Sequence, residues 1–212
     1  MNKRWVGSAL TGCTVTLVVS IVLSVAAQNR VMELVAQLRD IPTPLPAAGH
    51  PDDPVEERRR TLYRELRESG EEASRALANA LSDPDTGLRK HAALALSVLA
   101  SRWYEPKQKS LDIRTALPNL MRALEDADSN VRGWSAQAIG QMGPDGAPAV
   151  PKLIALLANP DEGSRNSACI ALRGIGPSAR NAIPALELAL SDPSPDVRGF
   201  AKRAIDGIKG PQ

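Results

Sequence analysis

A spacing of 33 residues recurs along the C-terminal part of this sequence. It separates Arg132 from Arg165 and Arg165 from Arg198, and the same interval separates three prolines, Pro118, Pro151 and Pro184. Large apolar residues follow each arginine at matching offsets: Ile139, Leu172 and Ile205, then Met142, Ile175 and Ile208. A fixed period of this length is typical of repeat proteins, in which each unit buries its apolar face against the next.

Each repeat reads as two helices joined by a short polar loop. Leucines follow the proline, the arginine begins a second apolar segment, and a Gly-Pro or similar pair ends it. An earlier copy carries Arg89, Leu77 and Leu81 at the same offsets, with Arg75 in place of the proline. The repeats span residues 72–100, 116–143, 149–176 and 182–209. Only 3% of the residues are aromatic although 43% are hydrophobic, so Ala and Leu must build the core, which favours helices.

Three segments carry a family resemblance. They are "ALPNLMRALEDADSNVRGWSAQAIGQMG", "AVPKLIALLANPDEGSRNSACIALRGIG" and "AIPALELALSDPSPDVRGFAKRAIDGIK". They resemble HEAT repeats of the short, HEAT-like type found in phycobilisome lyases, and the resemblance extends more loosely to residues 72–100. It implies an all-α fold, a right-handed α-solenoid of about four helix pairs. In this chain we expect an N-terminal transmembrane or signal helix before the solenoid.

The resemblance also implies a ladder of ion pairs between adjacent repeats. In HEAT families an Asp and an Arg six residues apart form this ladder. The matching pairs here are Asp83 with Arg89, Asp126 with Arg132, and Asp192 with Arg198. Arg165 also belongs to the expected ladder, but Asn159 stands at the aspartate position before it and is not charged. Because one arginine recurs in each repeat, we interpret these residues as structural.

Trp134 and Phe200 do not follow from the repeat. They lie two residues after the arginine, where the other repeats have His91 and Ser167. The offset lies outside the apolar set, which predicts that both face the inner, concave surface of the solenoid. Further candidates on this surface are Gln137, Asn166, Ile170, Arg173 and Arg203. Aromatic and Arg side chains are typical interface anchors; the alternative is that both aromatics pack on neighbouring helices.

Two further segments of the repeat domain, residues 55–212, stand out. Residues 101–114 are an insertion, since Arg89 and Arg132 are 43 residues apart, and they contain Trp103 and Tyr104. Long loops in compact stacks are often functional, but these aromatics could equally cover a widened gap. Residues 55–69 include "EERRR" and predict a solvated helix that caps the N-terminal end of the solenoid.

The N-terminus predicts a membrane or export segment. Residues 5–27 carry no charge and as a helix would reach about 35 Å, enough to cross a bilayer core of about 30 Å. An uncleaved signal anchor fits this length, and a cleaved signal peptide is the alternative. Lys3 and Arg4 before the span predict an extracytoplasmic or periplasmic repeat domain. We therefore divide the remainder into residues 1–27 as the anchor and residues 28–54 as a helical stalk and Pro-rich linker.

Composition excludes several function classes. A net charge of +2 lacks the basic excess that nucleic-acid binding needs, and the chain has two histidines and two distant cysteines, Cys13 and Cys169. Neither a disulfide framework nor a metal site is expected, so we predict no cofactor, no metal and no nucleic acid. His50 and His91 are expected on the surface or in a groove, and Cys169 is expected to be a buried, inert thiol. No catalytic motif is present, so we expect no enzyme.

The sequence therefore favours a scaffold that binds a protein partner and is membrane-tethered through residues 5–27 or exported. A protein related to bilin lyases is the alternative, and it predicts tetrapyrrole binding near Cys169 or the aromatics. A HEAT-like DNA-binding protein is a third reading, disfavoured by the charge. Residues Ile205 and Ile208 in the last repeat leave dimerisation open.

Overall fold

The computed structural model describes residues 25–41, 54–101 and 111–210 of the chain. Within these ranges the chain forms α-helices and short 3-10 segments, and no strand. Four helix pairs follow one another. In each pair we call the first helix A and the second helix B. The A helices are α3 (Glu71–Ala80), α5 (Leu117–Ala123), α7 (Val150–Leu156) and α9 (Ile183–Ala189), and the B helices are α4 (Thr86–Ala100), α6 (Ser129–Gln141), α8 (Glu162–Ile175) and α10 (Pro195–Lys209).

The regular 33-residue spacing of the prolines has a simple structural reason. Pro118, Pro151 and Pro184 each lie in the first turn of a short A helix, where the missing N–H has no helical partner to lose. A 3-10 segment leads into each of these helices: Arg114–Ala116, Gly143–Ala149 and Gly176–Ala182. The repeat predicted from the sequence is thus a helix pair with a tight connection on either side.

Every B helix begins with the same kind of cap. The side chain of Asp85 accepts a hydrogen bond from the Gly87 amide, Asp128 from two amides, and Asp161 from the Ser164 amide. Ser194 takes this role in the last repeat. These oxygens satisfy amides that have no partner within the helix. At the other end, Gly176 and Gly210 adopt φ values of 73° and 80°, a left-handed conformation that ends the helix and favours glycine.

The core runs along the stack between the A and B rows. The leucines that repeat in the A helices, Leu120, Leu153 and Leu186, are fully buried. Ile139 and Leu172 in the B helices are equally buried, and Ile205 and Ile208 in the last repeat are also covered. Those two isoleucines therefore offer no apolar patch for dimerisation.

The N-terminal helix differs from the expected stalk. Residues 25–37 form helix α1, followed by the 3-10 turn Leu38–Asp40. Its apolar residues Val31, Leu34, Val35 and Leu38 are buried at 0–4% exposure. The 3-10 turn contacts α4, and α1 lies along α3 with Val35 and Ala36 beside Ala76 and Ala80. The folded body therefore includes α1 and does not begin at residue 55, because this apolar stripe is needed to cover the first repeat.

Helix α2 (Pro54–Glu68) completes the N-terminal end. Leu62, Tyr63 and Leu66 are buried, and α2 contacts α4. The charged start of this helix is less solvated than expected, since Glu56 is 8% exposed and accepts hydrogen bonds from Arg59. The cap of the solenoid consequently consists of α1 and α2 together.

His91 is also placed differently from the expectation of a surface or groove position. It is 1% exposed, and its Nε2 lies 2.9 Å from the carbonyl oxygen of Ile41, where the chain leaves α1. Burial lowers the pKa of His91, which keeps the ring neutral with Nε2–H as the donor.

The predicted membrane span lies outside the described residues except for residues 25–27, which belong to α1. Among the helices that the structure describes, none combines the length and apolar character that crossing a bilayer requires.

Candidate protein-binding surface

The B helices form the more tightly packed row of the solenoid. Helices α4, α6, α8 and α10 contact one another in sequence, whereas neighbouring A helices share few contacts. At the α6–α8 crossing a Cβ on Gly174 would lie 2.6 Å from the carbonyl oxygen of Gly140, so the two backbones touch. A stack that is closer along one row curves toward it, so the B helices line the concave side.

Arginines at the start of the B helices join the repeats. Arg165 donates to both carboxylate oxygens of Asp192 in the next repeat, at 2.8 and 3.0 Å. The same guanidinium donates to the carbonyl oxygens of Asn159 and Pro160 in its own loop. Arg89 repeats this pattern with Asp126 at 2.8 and 3.3 Å. Each arginine thus holds its own loop and the next repeat at once.

These pairs correct the ladder expected from the sequence. Arg89, Arg132 and Arg198 do not form an ion pair with the aspartate six residues before them; each donates instead to its backbone carbonyl, in Asp83, Asp126 and Asp192 respectively. The carboxylates of Asp126 and Asp192 are turned toward the preceding repeat. Arg165, which has no aspartate six residues before it, consequently has an ion pair with the following repeat.

Arg132 lacks a bidentate carboxylate partner in the next repeat, because Asn159 stands at that position. It donates instead to the hydroxyl of Ser164 at 2.9 Å and lies 3.7 Å from the carboxylate of Asp161. Hydrogen bonds from the Ser164 hydroxyl and amide lower the pKa of Asp161. This joint is bridged by a serine hydroxyl and a longer ion pair to Asp161 in place of a bidentate ion pair.

At the N-terminal end, Arg39 extends the ladder. Its Nη2 lies 2.9 Å from the carboxylate of Asp83, the aspartate that has no preceding repeat. Asp83 is therefore paired, although with a residue of the 3-10 turn after α1 that the repeat pattern does not contain.

Trp134 lies in a shallow cleft between α6 and α8. The side chain is half-buried and packs partly on the core. The cleft has a volume of about 230 Å³, and Gln137, Asp161 and Ser167 line it beside the indole. One part of the indole therefore packs on the core, and another part faces the concave side. Both interpretations of Trp134 from the sequence apply to it in part.

Phe200 is also half-buried, one repeat beyond α8. The guanidinium of Arg203 lies 4.4 Å from the centre of its ring, within the range of a cation–π contact. Helix α8 separates Phe200 from Trp134, so the two aromatics do not touch. The half-buried Asn166 and Ile170 lie on this intervening helix.

Arg173 and Arg203 are exposed on the B helices α8 and α10. No carboxylate of the described residues lies within ion-pair distance of either guanidinium. The stem of Arg173 rests on α10, since a Cβ on Gly207 would come within 2.9 Å of its Cγ. We call the surface formed by Trp134, Gln137, Asn166, Ile170, Arg173, Phe200 and Arg203 the inner face.

Trp103 and Tyr104 lie outside the described residues. The end of the insertion is ordered against the repeat: Leu111 and Ile113 are buried, and the Leu111 amide donates to the carbonyl of Leu99.

Chemically reactive groups are sparse in the described ranges. Among these residues, no cluster of His, Cys, Asp and Glu could hold a metal ion. Cys169 is fully buried, and burial raises the pKa of its thiol to about 12. A thiol with that pKa is not a nucleophile near neutral pH.

One surface was missed in the sequence. Leu188 on α9 is 79% exposed and Leu190 is 41% exposed, beside a groove between α7 and α9. The 33-residue pattern places Leu190 in the repeated apolar set, where a following repeat would cover it. The position of Leu190 in the last repeat, with nothing described beyond it, could have signalled its exposure, and Leu188 aligns with Arg122 and Ala155, which are exposed in the other repeats.

Comparison with known proteins supports the repeat interpretation. Residues 99–173 match the family model described as HEAT repeats. No curated protein matches the chain at a significant level. The chain is similar in fold to the complex of CpcE and CpcF of phycocyanin lyase from Nostoc sp. PCC7120, with 19% identity, a TM-score of 0.60, and coverage of 86% of this chain and 99% of the other.

Designed proteins are similar as well. A designed armadillo repeat protein in complex with the peptide (KR)4 has 18% identity and a TM-score of 0.55, covering 84% of this chain and 81% of the other. An engineered protein from a structural genomics consortium has 21% identity and a TM-score of 0.56 over the same shares. At these identities the likeness establishes the fold: an all-helical, armadillo/HEAT-like repeat solenoid.

Proposed function

We propose that this HEAT-like solenoid is a non-catalytic scaffold that binds a protein partner on its inner face. The observation that carries the proposal is the presence of half-buried aromatics and unpaired arginines on the concave row of B helices. Stacking alone is satisfied there by small residues: Ser167 occupies the position of Trp134 and Phe200 in the intervening repeat. Trp, Tyr and Arg dominate the energetics of protein interfaces.

The fold supports this use. A solenoid of stacked helix pairs presents an extended concave surface that a partner can follow over several repeats. The designed armadillo protein of similar fold is seen with a peptide, which shows that such a solenoid can accommodate one. In this chain the cleft at Trp134 supplies an anchor pocket, and Arg173 and Arg203 supply charged contacts.

A small-ligand-binding function related to bilin lyases is the second candidate. The fold likeness to the CpcE and CpcF complex favours it. The buried Cys169 weakens it, because a thiol with a pKa near 12 cannot attack a tetrapyrrole. Adding a bilin to the purified full chain tests it: a shifted visible absorption band lost in Trp134→Ala would favour ligand binding over the scaffold.

We propose further that residues 5–27 tether the scaffold to a membrane or direct its export. The uncharged length of this segment supports the proposal. Because α1 packs on the first repeat from Val31 onward, such a tether would hold the solenoid close to the bilayer surface. Extraction of membranes with alkaline carbonate tests it: release of the full chain into the soluble fraction would contradict an uncleaved anchor. A mature N-terminus near residue 28 would identify the exported form.

The scaffold proposal is tested by site-specific photo-crosslinking in cells. A benzophenone amino acid at Gln137 on the inner face should crosslink to a defined partner, whereas the same group at Arg122 on the A helix α5 should not. The paired variant Trp134→Ala, Phe200→Ala should abolish the Gln137 crosslink. Equal crosslinking from both positions, or a crosslink that survives the paired variant with its fold intact, would contradict the proposal.

A further inference from the structure

We infer that the inner face binds an acidic, extended protein segment whose carboxylates pair with Arg173 and Arg203. This inference rests on the proposed scaffold function and specifies the partner. It begins from charge. Both arginines are exposed on adjacent B helices, and the described carboxylates leave them unpaired.

The carboxylates nearest to this surface in sequence form no ion pair with either arginine. Asp161 accepts hydrogen bonds from Ser164, and Glu162 accepts one from the hydroxyl of Ser194. Both lie at the start of α8, whereas Arg173 lies near its end. Asp206 is exposed on α10 but forms no ion pair with Arg203 within 4.0 Å. The arginine end of the inner face therefore carries a local positive charge although the whole chain is nearly neutral.

Both arginine side chains are held in part before any partner arrives, Arg203 at its guanidinium and Arg173 at its stem. Arg203 lies over the ring of Phe200, and the stem of Arg173 rests on Gly207. Holding a long side chain in place lowers the entropy that binding must cost. A planar guanidinium in a fixed position also favours bidentate contact with a carboxylate.

The spacing of the helices selects an extended segment. Neighbouring packed helices lie about 8–10 Å apart. A polyproline-type segment rises about 3.1 Å per residue, so three residues advance it by about one helix. Acidic residues about three positions apart would then reach Arg203 and Arg173. Apolar residues further along would meet Ile170 and the cleft at Trp134, which is half-buried and partly apolar.

An acidic protein segment fits better than a nucleic acid. Arg173 and Arg203 share the inner face with the apolar residues Ile170 and Phe200, so this face does not present the continuous basic track that follows a phosphate backbone. The net charge of +2 supplies no wider electrostatic attraction for a polyanion.

Fluorescence anisotropy with defined probes tests the inference on the full chain in detergent. The probes are fluorescein-labelled 12-residue peptides with the repeat Glu-Pro-Leu or Lys-Pro-Leu, and a fluorescein-labelled single-stranded oligothymidine. We expect the acidic peptide to bind and the basic one to bind at least about tenfold more weakly, with affinity for the acidic peptide falling as salt increases.

Charge reversal gives the decisive comparison. Arg173→Glu, Arg203→Glu should weaken the acidic peptide by at least about tenfold and strengthen the basic one. Arg180→Glu is the matched control, because it removes an exposed arginine from the connection between α8 and α9 and should change neither affinity by more than about twofold. All variants must retain the helical circular dichroism of the wild type and a melting temperature well above that of the assay, since the exposed positions lie outside the buried core.

Three results would overturn the acidic assignment: preference for the basic peptide, tighter binding of the oligothymidine, or equal effects of the paired reversal and Arg180→Glu. These outcomes are distinguishable from failure of the scaffold function. If a Gln137 crosslink to a protein persists while the acidic peptide does not bind, the scaffold stands and the acidic assignment is wrong. If neither is observed, both proposals fail.

Discussion

Arg165 in one repeat and Asp192 in the next are joined by two hydrogen bonds, and both side chains are largely buried, at 14% and 9% exposure. The Arg165 guanidinium lowers the pKa of Asp192, which keeps the carboxylate charged. One pair therefore fixes the angle between α8 and the loop that begins α10. Ion pairs between repeats stabilise the stack at its edges, and buried apolar side chains stabilise its interior.

Arg165→Ala should lower the free energy of unfolding by about 1.5–3 kcal/mol, because a buried charged hydrogen bond is lost and Asp192 is left without its partner. Urea denaturation followed by circular dichroism measures the change. Arg198→Ala is the control. Among the described residues Arg198 donates to two carbonyls of its own loop and to no other repeat, so its loss should cost less. An equal cost for both would show that the link between repeats contributes nothing.

The docking of α1 makes a second prediction. Leu38 is fully buried in the N-terminal layer, so Leu38→Ala should destabilise the chain by about 2–5 kcal/mol. Met32 lies on the same segment at 59% exposure, and Met32→Ala should change stability by less than about 0.5 kcal/mol. A free stalk would leave thermal melting of the repeats unchanged in both variants.

These features show what the sequence can and cannot predict. The buried leucines of the A helices follow from the period, because every repeat buries the same positions. The predicted ion pairs were wrong because they joined an aspartate and an arginine six residues apart within one repeat. The observed pair of Arg165 and Asp192 joins two repeats and spans 27 residues of chain. Period alone does not tell which way a side chain turns.

The signal for the inner face in the sequence was one position, two residues after the repeated arginine. Trp134 and Phe200 break the repeat, and the structure leaves both half-exposed on the concave row. His91 occupies the same offset and is buried, because the chain at Ile41 covers that end of the solenoid. An apolar stripe such as Val31 to Leu38 predicts a helix but does not identify the surface that covers it.

The contact between α6 and α8 predicts a strong effect from a single methyl group. Gly174→Ala should destabilise the chain by about 1–3 kcal/mol, since the added Cβ would lie 2.6 Å from a backbone oxygen that cannot move without shifting α6. Gly199→Ala is a matched control in α10. Its Cβ meets only the end of Arg203 at 3.8 Å, so the better helix propensity of Ala should stabilise the chain by up to about 1 kcal/mol. The free energies of unfolding of both variants, measured by chemical denaturation, distinguish the effect of the backbone contact from the effect of helix propensity.

His91 predicts a pH dependence. Burial lowers its pKa below the value in the unfolded chain, about 6.5, and its Nδ1 has no hydrogen-bond partner among the described residues. The unfolded chain therefore binds the proton first, so this residue reduces stability as the pH falls below about 6.5 and has no effect above it. In His91→Gln, which retains an N–H for the Ile41 carbonyl, the melting temperature should decline less between pH 7 and pH 5. Parallel declines in both proteins would show that another group causes the acid sensitivity.

Cys169 predicts a thiol that reports on unfolding. Its full burial and a pKa raised to about 12 mean that a maleimide should not modify it in the folded chain at pH 7. In a Cys13→Ser background, labelling should appear only with the unfolding transition in urea, at the midpoint that circular dichroism gives. Rapid labelling without denaturant would mean that the α8–α10 interface opens locally. In that case an electrophilic ligand could reach the Cys169 thiol, and this result would support the function related to bilin lyases.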